Sequence, residues 1–150
     1  MVWWRCGTRR IRRLLGLPAV DRRLLARAWL LELAIRIALW ILPFGRVRRR
    51  VAAVHPRPGA APRSDADQRI AWAVTSAARY VPAATCLTQA LAAKVLLTVA
   101  GREARLTIGV EKDGNRLRAH AWVEGNGRVI VGDHDLSRFT VLPSVEGEGP

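Results

Sequence analysis

The spacing of apolar positions changes near residue 101, from helical before it to a two-residue alternation after it. From Asp21 to Leu42, Arg23, Arg27, Glu32 and Arg36 recur every four or five positions, and Leu, Ile, Ala and Trp fill the remainder. This predicts an amphipathic helix with Asp21 as its N-cap. The longest apolar run, Ile37 to Phe44, would cross less than half a bilayer. The helix is therefore expected to pack on the domain, with a partner protein or a membrane surface as alternatives. Residues 45–63 hold Arg48, Arg49 and Arg50, then Pro56, Pro58, Gly59 and Pro62, and read as a linker. Ser64 with Asp67 three residues on is the looser form of a capping box and predicts a helix from Asp65 to about Tyr80, broken by Pro82. Thr85 then caps a helix from Cys86 to Ala100 whose only charge is Lys94, so it is expected to be buried nearly all round, and Gly101 ends it.

Beyond Gly101, Leu106, Ile108 and Val110 alternate with Arg105, Thr107 and Glu111. After a tight turn at Asp113-Gly114, Leu117, Ala119, Ala121 and Val123 alternate with Arg118, His120, Trp122 and Glu124, and Val129 and Val131 form a third strand. The pattern predicts an antiparallel meander, aliphatic on one face and carrying His120 and Trp122 on the other, with a short edge element from residues 136–143. The fold class is α+β, helices first and a small antiparallel sheet after them. Within a single domain, residues 1–63 read as a basic arm, amphipathic helix and Pro-rich linker, 64–143 as the core, and 144–150 as a disordered tail.

Asn126-Gly127 is the pair preferred by a two-residue type I′ turn. With that pair at the centre, Gly125 faces Arg128, facing residue numbers sum to 253, and His120 stands opposite Asp133. Asp135 shares that face on the diagonal, while His134 points away. A one-residue slip would reverse these assignments.

Charge narrows the class of partner. The 150 residues carry a formal charge of +13, almost wholly from arginine, since Lys94 and Lys112 are the only lysines. Acidic peptide, anionic lipid and nucleic acid are the candidates. The arginine clusters flank an apolar helix and have no interleaved aromatics, which makes nucleic acid the weakest of the three. Cys6 and Cys86 lie eighty residues apart without CxxC spacing, so no disulfide is expected. With no cleavable signal sequence apparent, the cytoplasm is the expected compartment, with membrane association open, and Cys6 is expected to do nothing.

A cysteine in the first turn of a helix meets free backbone amides and the positive end of the dipole, which favour its thiolate. His120 could take the proton and Asp133 fix the ring tautomer, with Asp135 in reserve. The Cys86 amide is expected in an oxyanion hole, with Tyr80 or Gln89 as side-chain donor and Trp122 as a substrate contact. Each residue alone is more often structural; their combination favours thiol catalysis over a basic membrane- or nucleic-acid-binding adaptor. Transfer to an amine acceptor would use the same triad. No metal is expected, because no second cysteine or histidine completes a zinc shell, and no cofactor is expected.

ArgTyrValPro, CysLeuThrGlnAlaLeuAlaAla, LeuThrIleGlyVal and AlaHisAlaTrpValGlu, between Ala78 and Asp133, resemble the transglutaminase-like B2 proteins of lasso peptide biosynthesis. The helix ending in LeuProPhe before an arginine cluster resembles that family too, so the likeness covers most of residues 20–135. It implies a papain-like cysteine protease that removes the leader from a ribosomally made precursor peptide. The family's cysteine falls on Cys86, its histidine on His120, and its aspartate on Asp133, with Asp135 in reserve. Because the first 60 residues have no room for a leader-recognition domain, the resemblance implies a separate B1-type leader-binding protein, together with an ATP-dependent, asparagine-synthetase-like macrolactam cyclase.

Overall fold

The computed structural model describes residues 16–59, 65–132 and 135–142. Helix α1 spans Ala19–Ile41, α2 Phe44–Ala52, α3 Ala66–Ala77 and α4 Cys86–Val99; a 3-10 turn at Ala78–Tyr80 extends α3. Strands β1 (Arg105–Asp113), β2 (Arg116–Gly125), β3 (Arg128–Val131) and β4 (Thr140–Val141) follow, with a 3-10 turn at Leu136–Arg138 before β4. The sheet is antiparallel in the order β3-β2-β1-β4. The expected edge element is thus a real strand, paired with β1 at Gly109 and Val110.

Helix α4 forms the middle of the molecule. Ala90, Leu91, Ala92, Ala93 and Leu97 are wholly buried, as a helix with one charge requires. It packs on β2 on one side and on α1 and α3 on the other. Its C-terminus closes as a Schellman motif: the Gly101 amide donates to Thr98 O (2.9 Å) and the Arg102 amide to Leu97 O (2.9 Å), with Gly101 at φ 73°. Arg102, just past that cap, donates twice to Asp67 at 2.7 Å and so fastens the start of α3 to the end of α4.

Three expectations about the front half need correction. Asp21 lies in the first turn of α1 behind Pro18, and its carboxylate takes Arg69 of α3 instead of capping its own helix. Residues 45–52, expected as the start of the linker, belong with Phe44 to α2: Phe44, Val47 and Val51 recur at helical spacing and turn inward, leaving the arginines outside. Helix α3 has Asp65 as N-cap with no side-chain cap bond, and Asp67 serves Arg102, so the capping box does not form; Ser64 lies outside the described residues. Helix α1 does pack on the domain, burying Ala28, Glu32 and Ile35, but its outer face is also apolar. No helix among the described residues is long and apolar enough to cross a membrane.

The hairpin register also changes. Gly125 faces Arg128 and Glu124 faces Val129 as expected, but Val123 faces Val131, because Ile130 is an extra residue in a β-bulge. Gly125 leaves room for it: a Cβ there would lie 2.7 Å from Ile130 Cδ1. Beyond the bulge the constant sum of 253 no longer holds, and β3 ends at Val131. The reason given for setting Asp133 opposite His120 therefore fails. Asp133 and His134 lie outside the described residues, as do Cys6 and the 144–150 tail.

Candidate active site

Cys86 is delivered by a tight turn. The Ala84 amide donates to Val81 O (3.2 Å) around Pro82 and Ala83, and Ala83 takes φ 54°, a left-handed position usually given to glycine. Thr85 follows in extended conformation, its Oγ1 accepting from the Thr88 amide at 3.3 Å. One free amide of the first turn is thereby satisfied, and the half-buried Cys86 thiol stands at the positive end of α4.

His120 sits in the middle of β2, facing Gly109 of β1. Its Nε2 lies 3.0 Å from Gly132 O. A carbonyl can only accept, so Nε2 carries the proton, and in the neutral ring Nδ1 is the basic nitrogen. The ring lies 6.0 Å from Trp122, nearly parallel, and 5.4 Å from Phe139. These aromatic neighbours, with the bond to Gly132, fix its orientation. Gly132 can come this close because it has no side chain and adopts φ 91°; a Cβ would lie 2.8 Å from Trp122 Cβ.

Cys86 and His120 line one cavity of about 430 Å³. Gln89, Glu111, Arg118, Gly132, Asp135, Arg138 and Phe139 also contribute to its wall. Among the described residues no hydrogen bond joins the thiol to the imidazole; the shared cavity is what brings them together. Gln89, one turn along α4 from Cys86, is on the wall. Tyr80 is half-exposed at the end of its turn, with its carbonyl taking Trp29 Nε1 at 3.3 Å, and does not line the cavity. Trp122 does not line it either: it is 2% exposed, its Nε1 donates to Glu124 Oε1 at 2.6 Å, and its ring covers Gly109. The expectation that it contacts substrate is not met; it supports the His120 ring.

Asp135 reaches the cavity wall, but its carboxylate is already engaged. It accepts from Ser137 Oγ (2.6 Å) and pairs with Arg138 Nε (3.0 Å). The Ser137 hydrogen bond and the Arg138 charge hold it below the usual carboxylate range. Among the described residues no three His, Cys, Asp or Glu side chains cluster to hold a metal.

Glu111 and Arg118 were not anticipated at the site: the turn between β1 and β2 is centred on Gly114 and Asn115, one residue beyond the expected Asp113-Gly114, and this sets Glu111 opposite Arg118 one pair along the same face from Gly109 and His120. Arg138 and Phe139 had no such signal, since a turn and a two-residue strand carry them back to the sheet.

No curated protein and no solved structure matches the chain significantly. The family model of the Transglutaminase-like superfamily matches residues 29–144, from within α1 to beyond β4. With a helix-opening cysteine and a strand histidine on one cavity in an α+β domain, the chain belongs to the Transglutaminase-like superfamily, which includes cysteine peptidases and transglutaminases.

Proposed function

We propose that the protein is a cysteine endopeptidase that removes the leader from a ribosomally made lasso precursor peptide, working with a separate leader-binding protein and an ATP-dependent cyclase. The observation that carries the catalytic part is the common cavity of Cys86 and His120, with Nε2 anchored on Gly132 O. The peptide and partner assignments rest on the sequence resemblance.

In the proposed reaction Nδ1 of His120 takes the thiol proton, and the Cys86 thiolate adds to the scissile carbonyl. The imidazolium returns that proton to the leaving amine, which departs as the C–N bond breaks. Water, deprotonated by the same nitrogen, then adds to the thioester and releases the leader carboxylate together with the thiol. The Cys86 amide and the Gln89 side chain are the donors for the oxyanion. Asp133, the covalent neighbour of Gly132, is the carboxylate that stabilises the imidazolium by its charge, while Gly132 O holds the ring; Asp135 is the alternative.

The test is to mix the full chain with precursor and leader-binding protein and follow peptide masses. Wild type is expected to cleave one bond, and Cys86→Ala and His120→Ala to lose at least about a thousandfold in rate. A larger loss for Asp133→Asn than for Asp135→Asn supports Asp133 as third member, and the reverse replaces it. Cleavage by folded Cys86→Ala would overturn the assignment.

A further inference from the structure

Helix α1 buries one face against α3 and α4, yet its other face is not polar. Leu30, Ile37, Trp40 and Ile41 are 58%, 48%, 79% and 74% exposed, and they recur along one side over about 16 Å of helix. Such a contiguous apolar stripe on the surface calls for a covering. Its charged surroundings have one sign. Residues 19–52 contain eight arginines and two acidic side chains, of which Asp21 is taken by Arg69 and Glu32 is buried. Arg46, Arg49 and Arg50 are exposed on α2, which begins three residues past Ile41. The Arg36 guanidinium lies 5.5 Å over the Trp40 ring.

From this pattern we infer that the outer face of α1, with the arginines of α1 and α2 around it, docks on an anionic lipid surface. Nucleic acid would satisfy the arginines but would leave Leu30, Ile37 and Ile41 in water. An acidic protein surface would have to match the convex side of a single helix, whereas a bilayer interface deforms around it. Lipid meets both features at once: aliphatic side chains and Trp40 enter the headgroup boundary, and guanidinium groups remain at the phosphates. The sequence ahead of α1 repeats this composition, with Trp3, Trp4 and five arginines before Leu14. None of the cavity-lining residues around Cys86 belongs to α1 or α2, so docking and catalysis are separable by substitution.

The experiment is co-sedimentation of the full chain with vesicles of phosphatidylcholine alone or mixed with phosphatidylglycerol. Wild type is expected to sediment with the mixed vesicles, more weakly as salt rises, and poorly with phosphatidylcholine. The triple variant Ile37→Ser, Trp40→Ser, Ile41→Ser, with unchanged circular dichroism, is expected to bind mixed vesicles about tenfold or more weakly. If wild type binds neither vesicle, the inference fails. It also fails if the triple variant binds as well as wild type, since the attraction would then be charge alone. Concentration-dependent dimerisation of wild type that the triple variant loses, without vesicle binding, would reassign the face to a second copy of this chain.

Discussion

Glu32 shows what a single residue can impose on the rest. It is wholly buried on the inner face of α1, and neither carboxylate oxygen has a hydrogen-bond partner among the described residues. Desolvation raises its pKa from 4.5 to about 7. In the unfolded chain the carboxyl ionises near 4.5, while the folded chain holds the proton until about 7, so rising pH across that window removes stability, by about 3 kcal/mol in all. Below the window both states are protonated and the penalty vanishes. Glu32→Leu is expected to be more stable than wild type, with a gap wider at about pH 8 than at about pH 5 in urea unfolding. An equal gap at both pH values would mean that Glu32 does not titrate there. Helical spacing made Glu32 look like one of the polar positions of α1, and only the packing of α3 and α4 against it put the carboxylate inside.

At the scale of elements, local chemistry was legible where one residue type could serve only one purpose. Thr85 caps α4 and Gly101 closes it, as their positions beside an apolar run implied. Thr85→Ala should therefore cost about 1 kcal/mol in chemical denaturation and slow peptide cleavage, because the cap holds the Cys86 amide in place. Thr85→Ser, which keeps the acceptor oxygen, should restore most of both. Where two devices competed, sequence was a poorer guide. The arginine run at 46–50 concealed the Phe44, Val47 and Val51 stripe of α2, and Asp67 left the capping role for a bidentate pair with Arg102. The bulge at Ile130 could not be read from Asn126-Gly127, because a turn fixes register only as far as the ladder stays regular.

For the whole molecule, the decisive feature is that both faces of the sheet are covered. Helix α4 lies on the aliphatic face, and the segment from Leu136 to Val141 brings Phe139 over the face bearing His120 and Trp122. Gly109 sits beneath that aromatic layer: a Cβ would lie 2.8 Å from Trp122 Cη2 and 2.9 Å from Phe139 Cβ. In an open strand Gly→Ala is usually stabilising. Here Gly109→Ala is expected to cost about 1–3 kcal/mol and to lower cleavage by displacing Phe139 from the His120 ring. Unchanged or higher thermal stability would show that the aromatic layer yields to a methyl group and does not constrain β1 at Gly109.

The sequence by itself determined the α+β class, the buried helix opened by Cys86, the strand carrying His120 and the turns between strands. These follow from periodicity, caps and glycines, which act within a few residues of chain. Tertiary structure decided which loop residue accepts from His120, that Trp122 supports the ring from inside, and that Gln89 and not Tyr80 reaches the cavity. It also decided that Arg118, Arg138 and Phe139 complete the cavity wall. Those outcomes depend on a bulge, on the return of the chain after β3 and on helix packing, where contacts between residues far apart in sequence outweigh local preference.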